Sequence, residues 1–219
     1  MSKAESLFSQ QDKDRLAVAV KAAEERTSGE IVPYVVAQSD TYPEAWLRSG
    51  ISAAFIVLFI FSLIGLGTDL WLPVGIAEVS LIALAAFALA GLAATYIPAL
   101  KRLFIPTTIL QQRVDERAAL AFLDEEVFST RDRTGILLFI SLFERRVRVL
   151  GDAGINAKVE QSEWDDVTRL IVEAMKAGLP ADGMLQAIDR CGQLLERRGV
   201  EIRPDDTNEL DNTVRFSDR

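Results

Sequence analysis

The chain has 219 residues and a net charge of −8, with no histidine and a single cysteine. This composition argues against general nucleic-acid binding, which needs clustered Lys and Arg, and it removes the commonest general base and zinc ligand. The lone Cys191 cannot form an internal disulfide, so the soluble part is compatible with a reducing compartment. Mean hydropathy is positive although 26% of the residues are charged, which indicates separate apolar and polar stretches.

The N-terminal part, residues 1–48, predicts one helix and one strand of a soluble domain. Asp12 or Asp14 is a candidate cap for the helix, because apolar residues recur at helical spacing after them. Residues 30–37 (EIVPYVVA) predict a strand, and Pro33 favours an edge position or a bulge. These residues are too few to bury a core alone, so we expect them to fold with the C-terminal part into one domain.

Two apolar blocks follow, and each is long enough to cross a bilayer as a helix. The first is Ser49–Gly67 and the second is about Pro73–Leu100. The connection Thr68–Leu72 is so short that residues 49–100 are expected to form an antiparallel transmembrane hairpin. A pair of buried core helices is the alternative, but the chain has too little polar mass to cover them. No signal peptide precedes these blocks, so the first is expected to direct insertion.

The flanking charges predict the orientation of the hairpin. Arg48 precedes the first helix, and Lys101 and Arg102 follow the second, whereas the connection carries Asp69 and Trp71 but no Lys or Arg. By the positive-inside rule, both termini and the soluble domain face the cytoplasm. We therefore expect a two-pass protein, integral to a membrane such as the bacterial inner membrane.

Two features of the second helix have two interpretations each. Ala86, Ala90 and Ala94 form a stripe of small residues, which suits packing against the first helix or docking against another membrane protein. Glu78 is an acid in an apolar segment, where ionisable residues often mark function. Because Glu78 lies near a helix end, the alternative interpretation is that its carboxylate reaches the lipid headgroups.

The C-terminal part, residues 101–203, predicts helices and a β-hairpin. The hairpin is indicated by a continuous apolar run of strand length, a tight turn and an alternating segment. The predicted elements are the helix Leu110–Phe128, the strands Gly135–Leu142 and Arg146–Leu150, and the helices Glu163–Lys176 and Gly183–Arg197. Residues 204–219 are rich in charge and poor in large apolar residues, which predicts an extended or disordered tail.

Two patterns in this part are of types that can carry chemistry. Cys191 and Arg197 have the spacing of a cysteine-phosphatase loop, but they fall within an amphipathic helix rather than a Gly-rich loop, so we interpret the match as accidental. Arg145, Arg146 and Arg148 either bind an anionic partner or protect a sheet edge.

Three aspartates remain as weak metal-ligand candidates. Asp40 follows the first strand, Asp132 precedes the central strand, and Asp152 ends the hairpin. Loops at strand ends can bring such residues together, and carboxylate oxygens are the ligands that calcium and magnesium prefer. Acids in turns are more often helix caps or solvated groups.

Several segments together resemble the TPM domain family. They lie within Phe8–Arg48 and about Val114–Leu210, and the β-hairpin is the most specific of them. The segments are SGEIVPYVV, DRTGILLFISLFERRVRVLGDAGI, a helix bearing Trp164, GMLQAI and RPDDTNEL. The resemblance implies a compact α/β sandwich, a small mixed sheet with helices on both faces, here interrupted by the transmembrane hairpin. Relatives are linked with photosystem upkeep, calcium binding and acid phosphatase activity.

These observations favour a role in binding other proteins over a role in catalysis. We expect a membrane-anchored, non-enzymatic interaction protein that assembles, stabilises or forms a subunit of a larger membrane complex, respiratory or photosynthetic. Its partners would be other integral membrane proteins and the lipid bilayer, with no nucleic acid. The alternative is a divalent-metal-dependent acid phosphatase that uses calcium or magnesium.

Overall fold

The computed structural model describes residues 4–67, 75–202, 205 and 208–218. The chain divides into two compact units. The first, called here the α/β unit, consists of Met1–Asp40 and Gln111–Arg219; the second, the hairpin unit, is Thr41–Leu110. The α/β unit is therefore built from two separate stretches of the chain, with the apolar segments between them.

The α/β unit contains a mixed sheet that, in the described residues, has four strands in the order β3-β2-β1-β4. Strand β1 (Glu30–Val36) runs parallel to β2 (Gly135–Ser141) and also to β4 (Arg215–Ser217). Strand β3 (Arg146–Gly151) is antiparallel to β2. The predicted α/β class, small mixed sheet and β-hairpin are confirmed.

Helices cover both faces of this sheet, because alternate residues of the buried strands point to opposite sides. Ile31 and Val35 of β1 belong to one apolar core, whereas Val32, Tyr34 and Val36 belong to another. The helices of the first core are α1 (Gln10–Glu24), α7 (Gln161–Lys176) and α8 (Pro180–Arg197), and the helix of the second is α5 (Thr107–Asp124). Both faces are thus buried, as the resemblance implies.

The edge position predicted for β1 is wrong, since β1 lies between β2 and β4. The position of Pro33 explains how an internal strand tolerates proline. Glu30 donates its backbone N–H toward β2, so in the strand alternation the N–H groups of odd-numbered residues point the other way. On that side, β4 pairs only with residues from Tyr34 onward. Pro33 therefore lacks an N–H where no ladder bond is needed.

The C-terminal tail also differs from expectation, because part of it is folded onto the sheet. Arg215–Ser217 forms β4, and the backbone N–H of Ala37 donates to the Ser217 carbonyl at 3.0 Å. Phe216 contacts Phe8, with ring centroids 5.4 Å apart. A three-residue strand carries too short a pattern to stand out in a charged sequence, so the tail was predicted to be extended or disordered.

Three helix starts also differ from the predicted caps. Helix α1 begins after Ser9, whose hydroxyl accepts a hydrogen bond from the Asp12 backbone N–H in a capping box. Helix α7 begins at Gln161, after its N-cap Glu160, rather than at the predicted Glu163. Helix α8 begins at Pro180, because proline is preorganised for the first helical position. The predicted starts of α7 and α8, at Glu163 and Gly183, lie two and three residues after the actual starts.

The hairpin unit contains α2 (Glu44–Gly67), α3 (Ile76–Tyr96) and the short α4 (Pro98–Leu103). Thr68–Leu72 and Pro73 lie outside the described residues. The second apolar helix was expected to run to about Leu100 but ends at Tyr96. Ile97 is extended because Pro98 follows it, and the residue before a proline disfavours the helical conformation.

Helices α2 and α3 pack closely through glycines. A Cβ at Gly50 would lie 2.8 Å from the Phe87 ring, and one at Gly91 would lie 2.8 Å from the indole nitrogen of Trp46. The Trp46 and Phe87 rings meet edge to face, with centroids 5.4 Å apart. Ser49 is buried and donates to the Ala90 carbonyl at 3.2 Å. Small side chains therefore allow the backbones of α2 and α3 to approach closely.

This packing bears on the alanine stripe. Ala94 is fully buried, and Ala86 and Ala90 are half-buried. Because the Ala90 carbonyl bonds Ser49 of α2, the stripe supports packing within the hairpin rather than docking elsewhere.

Both long helices of this unit, over Glu44–Leu66 and Ile76–Tyr96, are long and apolar enough to cross a membrane. Most of their large side chains are exposed, including Phe55, Phe59 and Leu89. The cytoplasmic orientation stays a prediction.

Candidate functional site

The candidate site is a cleft in the α/β unit at the amino-terminal ends of β1 and β2. It contains two cavities of about 510 Å³ each, and Ile202 lines both. The first cavity is bordered by Glu24, Glu30, Asn208 and Asn212, among others. The second has a different polar lining, which includes Ser28, Asp132, Thr134 and Lys158. Carboxyl and amide groups thus line the first cavity.

Glu24 and Glu30 form a carboxyl pair beside the first cavity. Glu24 ends α1, and its side chain accepts hydrogen bonds from the Ile31 backbone N–H at 2.9 Å and from the Asn212 amide at 2.6 Å. Glu30 begins β1, is 6% exposed, and accepts a hydrogen bond from the Glu209 backbone N–H at 3.2 Å. Both glutamates are therefore bound to the C-terminal tail.

Burial and the neighbouring Glu30 carboxyl together raise the pKa of Glu24 to about 8, although the Ile31 N–H and Arg215 oppose the shift. Desolvation disfavours the charged form, and two close carboxylates cannot both ionise without cost. At neutral pH the pair therefore retains a proton. Neither residue was singled out from the sequence, because the pair forms only when the end of α1, β1 and the distant tail meet.

Asp152 lies just after β3 and is 5% exposed. Its carboxylate caps α6 (Ala153–Asn156) by accepting from the Ala153 N–H at 2.7 Å, and it lies 2.7 Å from the Arg133 guanidinium. Oδ1 thus accepts the cap hydrogen bond, and Oδ2 faces the Arg133 guanidinium. Its geometry is that of a helix cap and ion-pair partner.

Asp40 and Asp132 lie at opposite ends of the sheet. Asp40 follows the carboxyl end of β1 and pairs with Arg113 at 2.9 Å. Asp132 precedes β2, which runs parallel to β1, so it lies at the amino ends of both strands. Asp152 ends the antiparallel β3 and shares that edge with Asp132.

The geometry brings Asp132 and Asp152 to one edge but separates Asp40 from them, so the three do not fit a single calcium site. The described residues contain no group of three acidic, histidine or cysteine side chains arranged around a metal position. Metal binding by any one of the three stays a prediction.

Cys191 is fully buried in α8. Burial raises the pKa of its thiol to about 12, so the reactive thiolate is suppressed at neutral pH. This agrees with our interpretation that its spacing to Arg197 is accidental.

A second polar cluster, at the carboxyl ends of β1 and β2, was missed by the sequence analysis. Ser39 donates to the hydroxyl of buried Ser141 at 2.8 Å, and Ser141 donates to the buried Glu144 carboxylate. The same carboxylate accepts from the Ser39 backbone N–H at 2.9 Å. The cluster joins the loop after β1 to the β2–β3 turn. Nearby, Arg148 pairs with Asp115, so that arginine has a partner within the unit.

Replacing Asp152 with alanine is expected to destabilise the α/β unit by about 1–2 kcal/mol, because the substitution removes the cap of α6. Chemical denaturation followed by the fluorescence of the buried Trp164 measures this cost. Asp152→Asn is the matched control, since asparagine caps a helix equally well. An equal loss in both variants would show that the charge opposite Arg133, rather than the cap, carries the stability.

Comparison with known proteins identifies a similar domain and a similar solved structure. Residues 99–194 match the model of the TPM domain. The chain is also similar to the NMR structure of the BA42 protein from the psychrophilic bacterium Bizionia argentinensis, with a TM-score of 0.60 and 19% identity. That alignment covers 99% of this chain and 100% of the other, and at such identity it shows the fold alone. No curated protein matches the chain.

The fold therefore defines a small α/β domain with a mixed sheet, split by two apolar helices. The chain carries a TPM-domain match over residues 99–194, and its fold is similar to that of the BA42 protein. The matched residues contain β2, β3 and α7, whereas β1 precedes them but pairs with β2 along its whole length. The N-terminal part thus completes the same domain.

Proposed function

We propose that this protein is a membrane-anchored, non-enzymatic interaction protein that assembles or stabilises a complex of other integral membrane proteins. The observation that carries the proposal is the position of the apolar helices. They interrupt the TPM domain between β1 and α5, so the domain is joined to the hairpin unit by two chain segments rather than one. An anchor with two connections restricts a domain more than a terminal tether does.

The ends of the interruption support this proposal. Asp40 and Arg113, which lie where the chain leaves and re-enters the α/β unit, form an ion pair at 2.9 Å. Ser39, next to Asp40, is hydrogen-bonded to the buried Ser141 and Glu144. The point of departure is therefore fixed by several contacts. Such preorganisation suits a domain that presents one surface to neighbours in a membrane.

The chemistry of the cleft also favours binding over catalysis. The Glu24 and Glu30 carboxyl groups are hydrogen-bonded to main-chain N–H groups and to the tail. Asp152 is used as a cap, and the Cys191 thiol is buried. These groups hold the domain together, which is the role their contacts describe.

Extraction of the tagged protein from its native membrane in mild detergent, followed by native electrophoresis, tests the proposal. We expect migration in a complex larger than a homodimer, with integral membrane proteins as the other components. Migration solely as a monomer or homodimer would contradict the proposal.

A matched pair of glycine variants tests whether the packed hairpin is needed for that complex. Gly50→Leu is expected to reduce the recovered complex severalfold, because a Cβ there would lie 2.8 Å from the Phe87 ring and 2.9 Å from its carbonyl, so the helices must separate. Gly65→Leu is the control, since nothing lies within 4 Å of a Cβ at that position. Equal recovery of both variants and the native protein would show that the complex does not depend on this packing.

A further inference from the structure

The β2–β3 turn and the start of β3 carry an arginine cluster, which consists of Arg145, Arg146 and Arg148. Together with residues of α5 and α7, the cluster lines a small open cavity of about 180 Å³. The acidic residue in the described lining of this cavity is Asp115, which pairs with Arg148. Three cationic side chains therefore meet one carboxylate here.

The turn also contains Glu144, but the carboxylate of this residue is directed inward. Glu144 is fully buried, and it accepts hydrogen bonds from the Ser39 backbone N–H at 2.9 Å and from the Ser141 hydroxyl. Its charge is thus stabilised within the fold, whereas Arg145 beside it is exposed. The outer surface of the turn is therefore basic.

Protection of a sheet edge, one of the two interpretations of these arginines, explains only part of the cluster. Strand β3 is at an edge of the described sheet, and Arg146 and Arg148 belong to it, so their charges discourage pairing with another strand. Arg145 precedes the strand and has a φ of +53°, a left-handed conformation that glycine or asparagine adopts with less strain. Neither edge protection nor turn formation therefore accounts for an arginine at this position.

The cluster lies at the end of the sheet from which the chain leaves the α/β unit. Ser39 bonds to the turn through Glu144, and the N-terminal part of the unit ends one residue later, at Asp40. Residues 41–43 separate Asp40 from Glu44, where α2 begins. An extended chain spans at most about 3.6 Å per residue, so this connection is short. The basic turn is thus at the end of the α/β unit to which the connection is attached.

We propose that the arginine cluster binds the phosphate groups of anionic lipid headgroups, so that the β2–β3 turn faces the membrane surface. The inference rests on the membrane anchoring that is part of the proposed function, and it adds which surface of the α/β unit faces the bilayer. A chain with a net charge of −8 is repelled by an anionic membrane, so a local basic surface determines which side approaches it. Arginine suits this role, because its planar guanidinium donates paired hydrogen bonds to phosphate oxygens.

A lipid surface fits the cluster better than an acidic segment of another protein. The cavity of about 180 Å³ is smaller than the roughly 300–1,000 Å³ of clefts that enclose drug-sized ligands, so it suits a single small group such as a phosphate. A domain tethered by a short connection also meets headgroups at a high effective concentration, which makes weak contacts sufficient.

Nuclear magnetic resonance of the full-length protein in lipid nanodiscs tests the proposal. A trace of lipid with a nitroxide on its headgroup broadens the amide signals of residues that lie near the membrane surface. The amide of Phe143 reports on the turn, and that of Asp152, at the other end of the sheet, is the internal reference. In discs that contain phosphatidylglycerol, we expect strong broadening of Phe143 but not of Asp152. Neutral phosphatidylcholine discs or high salt should reduce it, because the attraction is electrostatic.

Variants of Arg145 separate its charge from its backbone conformation. Arg145→Asn removes the charge but suits the left-handed conformation, so the fold should be kept while the ratio of docked to undocked turn falls about fivefold. Arg145→Lys keeps the charge and should retain most of the broadening. Arg146→Gln is a second test of the cluster and should also weaken docking. Arg198→Asn is the matched control, because Arg198 is an exposed arginine outside the cluster and its loss changes the net charge equally.

The outcomes distinguish this inference from the proposed function. Equal broadening of the turn in anionic and neutral discs, or equal effects of Arg145→Asn and Arg198→Asn, would overturn the inference. A nitroxide on the lipid acyl chain reports separately on insertion through the amides of Phe55 and Leu89. Broadening of these two without broadening of the turn would overturn lipid binding alone. No broadening of these two would contradict the membrane anchoring and this inference with it.

Discussion

Replacing Gly135 with alanine is expected to destabilise the α/β unit by about 3 kcal/mol, a large fraction of the stability of a typical domain. Gly135 begins β2, and a Cβ there would lie 1.9 Å from the Val127 carbonyl oxygen and 2.8 Å from the Val127 side chain. Because the first contact is with backbone, the clash cannot be relieved by a change of rotamer. Chemical denaturation of the purified protein, followed by Trp164 fluorescence, measures the loss.

Gly199→Ala is the control for this prediction. Gly199 has a φ of +69°, which strains an L-residue, but nothing lies within 4 Å of a Cβ there. It should cost only about 1 kcal/mol. If Gly135→Ala were no more destabilising than Gly199→Ala, the close approach of the Val127 carbonyl to β2 would be contradicted.

Leu138→Ala is expected to destabilise the same unit by about 2–5 kcal/mol. Leu138 lies in the middle of β2, is fully buried, and belongs to the core shared with α1, α7 and α8. Its truncation removes apolar contacts and leaves a cavity where neighbouring strands limit collapse. The midpoint of urea unfolding should fall markedly, with the slope of the transition unchanged.

Leu120→Ala provides the comparison for this core substitution. Leu120 lies on α5 and is 53% exposed, so the same chemical change should alter the free energy of unfolding by less than about 0.5 kcal/mol. Similar effects of the two substitutions would show that β2 is not at the centre of the core.

The parts of the fold that the sequence predicted were those with a strong local pattern. The run GILLFIS and the alternating RVRVL predicted β2 and β3, and the structure pairs Ile136–Ser141 with Arg146–Gly151. The apolar blocks predicted the two long helices of the hairpin unit for the same reason. In each case a buried face or a short turn is encoded within a few consecutive residues.

The parts that the sequence did not predict depend on contacts between distant residues. Strand β4 has three residues, and its place is set by β1, Phe8 and Glu125 rather than by its own pattern. The raised pKa of Glu24 depends likewise on burial and on Glu30, which no local spacing reveals. Elements that gain their structure from tertiary context are the ones that sequence patterns miss.

The metal candidates show the same limit. Residues at strand ends can be placed only when the direction of each strand is known. The hairpin fixes β3 antiparallel to β2, but nothing local indicates that β1 runs parallel to β2. That one direction places Asp40 at the end of the sheet opposite Asp132 and Asp152, so only two of the three candidates share an end.

The parallel pairing of β1 with β2 also affects how the protein is made. Both apolar helices are synthesised between β1 and β2, so β1 leaves the ribosome long before its first partner strand. Its other partner, β4, is made last, near the C-terminus. During synthesis an apolar strand is therefore left without neighbours, which favours aggregation. Under the proposed membrane anchoring, early insertion of α2 and α3 would shorten the period in which β1 is exposed and would link folding of the domain to insertion of these helices.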